Sequence, residues 1–430
     1  MPTLPIEIHD VIASHTADDD LKSLGLVSKA FIYPTQRQLF RCIRIFTFGK
    51  SDNLASVLKT SPHLAGYIRK FQVGSPLERT TSIVQILVLL QNVRDFVLGP
   101  SFQRLETIKF QKFQPPCVVA LKEVLRRSTL RSLVIMCCDF PSISALADLL
   151  RQASPHLQAL SCKNVTLSST VSTPEEINAD GPVLSLSEFK FQDEPYRMCL
   201  LPYLFLNTDV VFHDKSSLHT LHFACRFIEH HATLVKILTR IGPSMHELHL
   251  REVMSSHPNM QDYPDNQFIS FYTCTSLSSL TFDLSMRRTW EQPPFSPISI
   301  SLASFDPKNN SLQHLYIHLG LLSILKLTHF PYGEVNYPTQ YHFPGLPDYH
   351  KEQHTRQIDD ARTMINVIAK HLQKLLSIEF FISPESPPRQ GEIEKAAQRS
   401  LTLEKTLRLL SAEVDGRMEG VSISVKAVTG

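Results

Sequence analysis

A six-residue pattern, apolar-x-x-apolar-x-apolar, recurs along most of this 430-residue chain and constrains its fold more than any other feature. The copies begin at Ile68, Val93, Leu105, Leu130, Leu157, Leu186, Leu218, Met245, Leu277, Leu312 and, for the last, Leu375. Apolar and polar positions alternate in the last three residues of the pattern, so each copy predicts a short strand. One such strand cannot bury its own apolar face, so neighbouring copies must stack on one another.

Most copies start about 25 to 35 residues apart, and helical patterns lie between several of them, at 118–127, 143–152 and 234–241. The motif resembles leucine-rich repeats of irregular length. That resemblance implies an α/β solenoid with a parallel sheet on its concave face and helices outside. A generic α/β domain with leucine-rich strands is the alternative that the pattern leaves open.

Composition limits the class of protein. Apolar residues make up 43% of the chain and charged residues 20%, which is typical of a folded protein. The net charge of +2 gives no reason to expect nucleic acid or an anionic membrane as a partner. The N-terminus lacks the basic and apolar regions of a secretory signal, and the apolar stretches at 83–90 and 319–327 are too short to span a bilayer. We therefore expect a cytoplasmic or nuclear protein, or one found in both compartments.

No cofactor and no metal are predicted. The eight cysteines contain no Cys-x-x-Cys pair, so they are expected to be reduced and mostly structural. A zinc site formed by Cys225, His230 and His231 is the less favoured alternative, because paired ligands are missing.

The first 45 or so residues predict three short helices in too little chain for a large core. Pro5 suits the first turn of a helix, the run Asp18–Asp20 supplies N-cap candidates for the second, and Pro34 is predicted to open the third. The apolar residues of the first helix share one face; they are Ile8, Val11 and Ile12. Such a segment must either pack on the rest of the molecule or offer apolar surface to a partner.

The ordered apolar pattern of this segment resembles the F-box family, in the variant common in fungal proteins. The residues that carry it are Leu4-Pro5-x-Glu7-Ile8, then Leu21, Leu24 and Leu26-Val27-Ser28-Lys29, then Leu39-Phe40-Arg41 and Ile43. Phe31 stands where many relatives carry tryptophan. An ordinary three-helix cap is the alternative.

The resemblance implies that the segment binds a Skp-family adaptor and, through it, a cullin of a ubiquitin ligase. The residues expected to contact the adaptor are Leu4, Pro5, Ile6, Ile8, Val11, Ile12, Leu21, Leu24, Leu26 and Val27.

Three domains are predicted: an F-box-like helical domain at 1–45, the irregular repeats at 46–390, and a C-terminal helix and strand that cap the repeats at 391–430. A loop rich in proline and aromatic residues is predicted to interrupt the repeats at about 328–357. Such a long loop is typically functional or disordered, although packing on its own scaffold is equally compatible with the sequence.

The positions between the buried residues of each strand are expected to point to solvent on the concave face. In the later copies these are His222 and Ala224, His249 and Arg251, Thr281 and Asp283, and Tyr316 and His318. Side chains of His, Arg and Tyr favour recognition. We therefore expect an unknown target protein to contact His222, His249, Arg251, Tyr316 and His318.

Catalytic signatures are absent from the sequence. No two of the fourteen glycines lie closer in the chain than Gly416 and Gly420, which excludes Gly-x-Gly loops. No Walker, His-Glu-x-x-His or kinase motif occurs either. The chain is therefore not expected to be an enzyme. Two functions remain: the substrate-receptor subunit of a Skp-cullin-type ubiquitin ligase, or a leucine-rich-repeat interaction scaffold with a diverged, inactive F-box.

Overall fold

The structure is a computed structural model in which the chain divides into two compact units, Met1–Ser217 and Leu218–Gly430. The residues it describes are 4–74, 77, 81–100, 107–168, 184–192, 217–224, 228–251, 269–284, 295–320, 346–383, 401, 403–405, 407–408, 410–412, 418 and 420–427.

The first unit begins with three helices, α1 (Ile6–His15), α2 (Asp18–Val27) and α3 (Lys29–Arg41). The prediction that Pro34 opens the third helix is wrong, because α3 begins five residues earlier and Pro34 lies inside it. Ser28 is the N-cap of α3, and its side-chain oxygen accepts a hydrogen bond from the Ala30 backbone N–H. The cap therefore decides where this helix begins, and the proline is accommodated within it.

The rest of the described part of this unit contains nine strands and four α-helices. The strands are β1 (Cys42–Ile45), β2 (Lys70–Val73), β3 (Asp95–Leu98), β4 (Ile108–Lys109), β5 (Ser132–Met136), β6 (Cys138–Phe140), β7 (Ala159–Lys163), β8 (Thr166–Leu167) and β9 (Glu188–Gln192). The helices are α4 (Phe48–Thr60), α5 (Thr81–Leu89), α6 (Pro115–Leu125) and α7 (Ile143–Arg151).

Parallel pairing joins the strands in chain order, β1-β2-β3-β5-β7-β9, and a small second sheet has the order β4-β6-β8. The strand register aligns the middle apolar position of successive repeats: Phe71, Phe96, Leu133, Leu160 and Phe189. All five side chains are buried, and each such burial is worth about 1.5–3 kcal/mol. The stacking that the repeat pattern predicts thus supplies the core of this unit.

The second unit repeats the same plan. Its strands are β10 (Thr220–Ala224), β11 (Glu247–Arg251), β12 (Ser279–Leu284), β13 (His314–Gly320), β14 (Ser377–Ser383) and β15 (Ser422–Ala427). They pair in parallel and in chain order. The described helices are α8 (Ile228–Ile241), α9 (Phe295–Ala303) and α10 (Leu346–His371), and the described residues of 401–412 are also helical.

The α/β architecture predicted from the sequence is confirmed: each unit is a leucine-rich-repeat-like stack with one strand per repeat. Ten of the eleven predicted copies supply a strand to these parallel ladders. The copy at Leu105 does not, because its strand β4 pairs with β6 in the small sheet. Ile43, expected at the end of the N-terminal helical segment, lies instead in β1, the first strand of the ladder.

Part of the loop predicted at 328–357 is helical. Helix α10 begins at Leu346, with Pro347 in its first turn, where a proline costs no hydrogen bond. Residues 321–345 lie outside the described part of the chain.

Within the described part, no helix combines the length and the apolar character needed to cross a membrane.

Candidate protein-interaction sites

The three N-terminal helices are held together by contacts on one side of α1. His9 and Ala13 are its buried residues, and the His9 ring meets Phe31 of α3 edge-on with 4.7 Å between centroids. Beside this contact, Arg37 Nη1 of α3 lies 3.1 Å from Asp10 Oδ2 of α1. Because α1 buries this side, its apolar residues on the other side remain at the surface.

Helix α2 approaches α3 closely at Gly25. A Cβ atom at this position would lie 2.9 Å from Thr35 Oγ1. That hydroxyl donates to the carbonyl oxygens of Phe31 and Ile32, so it is fixed. The close approach anchors α2 on α3.

Eight of the ten residues expected to contact the adaptor are exposed: Leu4, Pro5, Ile6, Ile8, Val11, Ile12, Leu26 and Val27. Leu26 is 88% exposed and Val27 is 74% exposed, which is unusual for two adjacent large apolar residues. We call these eight residues the N-terminal apolar surface. Large apolar side chains exposed in such number on one small segment make it a candidate protein-interaction site.

The other two residues of the predicted set differ. Leu21 is only 2% exposed, and Leu24 is half-buried, so both contribute to the packing of α2. Ile32 and Tyr33, which were not in the predicted set, are also exposed, on α3. Their apolar character was visible, but the predicted start of the third helix at Pro34 excluded them.

A second candidate site lies on the strand face of the second unit. We call it the β10–β15 face and define it by two rows of residues that share register. The middle row is His222, His249, Thr281, Tyr316, Glu379 and Ser424. The row nearer the strand ends is Ala224, Arg251, Asp283, His318, Phe381 and Lys426.

The middle row carries a stacked pair of histidines. The rings of His222 and His249 are 4.1 Å apart between centroids and inclined by only 11°. His249 Nε2 also lies 2.8 Å from Glu247 Oε1, and this hydrogen bond is the main cause that lowers the pKa of the Glu247 carboxyl group. The Glu247 carboxylate thus fixes the orientation of the His249 ring in this stacked pair.

The row nearer the strand ends carries aromatic and charged groups together. The rings of His318 and Phe381 are stacked, with 4.5 Å between their centroids. Lys426 lies on β15, the other neighbour of the Phe381 strand, and its Nζ is 5.5 Å from the centroid of the Phe381 ring. Arg251 Nε is 3.4 Å from Asp283 Oδ2. Burial lowers the pKa of His318; the Asp283 charge opposes this shift and His249 adds to it.

All five residues expected to contact a target therefore lie on one face, and neighbouring strands bring them side by side. Two positions expected to point to solvent are instead buried, Thr281 and Ala224. Thr281 lies in register between His249 and Tyr316, whose larger side chains flank it. Phe381 and Lys426 lie on the same face but were not predicted, although the last repeat copy and the final strand place them at equivalent strand positions.

Metal-binding and thiol chemistry depend on how the His, Cys, Asp and Glu side chains of the described residues are placed. Among them, no group of three or more His, Cys, Asp or Glu side chains is placed to hold a metal ion. Cys225 and the side chains of His230 and His231 lie outside the described residues. Burial raises the pKa of Cys162 to about 12, which keeps this thiol protonated and poorly nucleophilic.

Comparison with known proteins gives a structural neighbour and no sequence relative. No family model matches the chain, and no curated protein matches it. Among solved structures, the chain is similar to one described as the crystal structure of the Rad7 and Elc1 complex in yeast, with 10% sequence identity and a TM-score of 0.36. The match covers 89% of this chain and 91% of that chain.

Proposed function

We propose that this protein is a substrate-receptor subunit of a Skp-cullin-type ubiquitin ligase. In this proposal the N-terminal apolar surface binds a Skp-family adaptor, which links the chain to a cullin, and the β10–β15 face binds a target protein. The chain supplies no catalytic group of its own. It raises the rate of target modification by holding the target at high effective concentration beside the ligase machinery.

The observation that carries the proposal is the exposure of the residues on which the F-box resemblance rests. A helical cap that only closed the end of the repeats would turn its largest apolar side chains inward. Here α1 keeps Ile8 and Val11 at the surface and buries His9 and Ala13 instead. Helix α2 buries Leu21 but leaves Leu26 exposed. Burying such side chains against an adaptor would gain about 25 cal/mol for each Å² of apolar area.

The proposal for the target site rests on the composition of the β10–β15 face. Stacked rings have already lost much of their rotational freedom, so ordering them in a complex costs little further entropy. His222, His249 and His318 combine this rigidity with polar edges that accept or donate hydrogen bonds. Tyr316 and Arg251 are of the residue types that dominate binding energy in protein interfaces.

The decisive experiment is co-purification of the chain with its cognate Skp-family adaptor. The test variant combines Ile8→Asp with Leu26→Asp, which places two charges on the N-terminal apolar surface without disturbing a buried side chain. The control is Val88→Asp, which places a charge on an exposed apolar residue of α5. We expect the parent and the control to form a one-to-one complex, and we expect the test variant to lose at least 100-fold in affinity, about 2.7 kcal/mol.

Failure of the folded parent to bind any adaptor would contradict the ligase proposal. The protein would then be better described as a leucine-rich-repeat interaction scaffold with a diverged F-box. Equal binding by the parent and the test variant would place the adaptor on a different surface.

A further inference from the structure

Four arginines occupy equivalent positions in the first unit. Each immediately precedes a strand of the parallel ladder: Arg41 before β1, Arg69 before β2, Arg94 before β3 and Arg131 before β5. Backbone hydrogen bonds join them in sequence. The N–H of Arg69 donates to the Arg41 carbonyl at 3.0 Å, that of Arg94 to Arg69 at 2.7 Å, and that of Arg131 to Arg94 at 2.8 Å. We call this set the arginine column.

Two members of the column also support the turns of the next repeat. Arg69 Nη1 donates to the Asn92 carbonyl at 3.1 Å, and Arg131 Nη1 donates to the His156 carbonyl at 3.3 Å. Neutral carbonyl groups orient these guanidinium groups without cancelling their charge. Arg131 Nη1 also donates to the Ser128 carbonyl at 2.8 Å and to the Leu130 carbonyl at 3.4 Å. The Nε and Nη2 donors of the two groups are therefore the ones left to reach a ligand.

The other two members, Arg41 and Arg94, are exposed. Within the described residues, neither side chain forms an ion pair or a hydrogen bond. Asp95 follows Arg94 in the chain but forms no ion pair with it there. Arg37 of α3 adds a further positive charge nearby, although Asp10 pairs with it.

The positive charges of the column act on one another. The pKa of Arg69 is lowered first by burial and then by the charges of Arg94 and Arg37. Repulsion of this kind is relieved when an anion binds. A chain with a net charge of only +2 therefore places four positive charges side by side at the starts of neighbouring strands in its first unit.

We propose that the arginine column is a docking site for an acidic segment of a partner protein. Neighbouring strands are about 4.8 Å apart, so the four arginines span about 14 Å, which an extended segment of about five residues matches. Guanidinium groups bind carboxylates in a bidentate manner, which favours a run of Asp or Glu side chains. The column itself carries no aromatic side chain on which a nucleobase would stack, and the whole chain is nearly neutral.

This inference does not depend on the proposed ligase function, because it concerns a different surface and holds whether or not an adaptor binds. The test measures binding of a fluorescein-labelled octaglutamate peptide to the full chain by fluorescence anisotropy. The test variant is Arg41→Gln with Arg94→Gln, which removes the two arginines whose side chains support no turn. The control is Lys50→Gln with Lys59→Gln, which removes two exposed charges from α4 of the same unit.

We expect the parent and the control to bind the peptide with the same affinity and the test variant to bind at least about tenfold more weakly. Binding should weaken as salt concentration rises. Thermal unfolding of all three proteins verifies that they are folded. Adaptor co-purification of the same variants tests the ligase proposal separately, because loss of peptide binding alone would concern only the arginine column.

Three results would overturn the inference. The first is no binding of octaglutamate by the folded parent. The second is an equal loss in the test and control variants, which would indicate non-specific attraction. The third is tighter binding of a twenty-nucleotide oligothymidine than of octaglutamate, lost in the test variant, which would assign the column to nucleic acid.

Discussion

Gly99 follows β3 at a point where the chain passes close to the end of β5. Its backbone N–H donates to the Val73 carbonyl at 2.9 Å, which fixes its place in the ladder. A Cβ atom added here would lie 2.7 Å from the carbonyl oxygen of Met136 and would also overlap the Met136 side chain. The backbone of β5 cannot yield without loss of strand pairing, so only glycine fits.

Substitution Gly99→Ala is therefore expected to destabilise the first unit by about 1–3 kcal/mol, the typical range of substitutions that force overlap in a packed core. The measurement is the midpoint of chemical unfolding. The control is Gly49→Ala in α4, where no atom lies within 4 Å of the added Cβ and the midpoint should stay unchanged or rise slightly. Equal midpoints for the two variants would contradict the proposed close contact.

His318 is expected to make the stability of the folded protein depend on pH. Its lowered pKa means that the folded protein favours the neutral imidazole. The unfolded chain takes up a proton below about pH 6.5, so the contribution of this residue to stability falls as pH drops below that value. The groups that face His318 are Asp283 on β12, His249 on β11 and Phe381 on β14.

We expect the variant His318→Asn to lose less stability than the parent between pH 7.5 and pH 5.5, because it removes this proton uptake. Unfolding midpoints at three pH values measure the effect. The control is His63→Asn, an exposed histidine of the first unit, which should follow the parent. A variant with the same slope as the parent would show that His318 is not the titrating group.

At the scale of elements, the outer edge of β15 is covered by an ion pair. The N–H of Ser422 donates to the Leu376 carbonyl on the β14 side, so Ile423 and Val425 turn their backbone groups outward. Arg408 Nη2 donates to the Ile423 carbonyl at 3.1 Å, and the N–H of Val425 donates to Glu404 Oε2 at 3.4 Å. Glu404 and Arg408 also pair with each other at 2.8 Å, which holds them over the strand.

Open strand edges promote pairing with another chain. Removal of this cover by Glu404→Ala with Arg408→Ala should therefore promote self-association, with an apparent mass that rises with protein concentration in light scattering. The control is Lys405→Ala, an exposed residue of the same helical stretch, which should remain as monodisperse as the parent. A double variant that behaves like the control would show that the ion pair does not protect the edge.

At the scale of the whole molecule, the two candidate surfaces belong to different units. The N-terminal apolar surface belongs to the first unit and the β10–β15 face to the second. Substitutions that share no contact normally act independently. Under the proposed function, a substitution on the β10–β15 face should therefore leave adaptor binding unchanged.

The variant Tyr316→Ala is therefore expected to bind the adaptor within twofold of the parent. Titration calorimetry of the purified adaptor measures this affinity. The variant Ile8→Asp with Leu26→Asp is the positive control for loss of binding. A reduction of more than tenfold in Tyr316→Ala would mean that the two surfaces are energetically coupled.

The sequence by itself determined the strands of the repeats, because an apolar-x-x-apolar-x-apolar pattern can bury its face only by stacking. It also determined which N-terminal residues are apolar enough to bind a partner. Local patterns could not locate Pro34 inside α3, since the cap at Ser28 sets the start of that helix. They also missed that β4 leaves the main ladder, because pairing partners are chosen in three dimensions.

Only the tertiary structure decided which side chains meet. His318 and Phe381 are 63 residues apart in the chain, yet parallel pairing of β13 with β14 stacks their rings. Arg41, Arg69, Arg94 and Arg131 look scattered in the sequence, and the strand register aligns them into one column. The physical reason is that register depends on the packing of whole repeats, whereas a local pattern specifies only which face of each strand is buried.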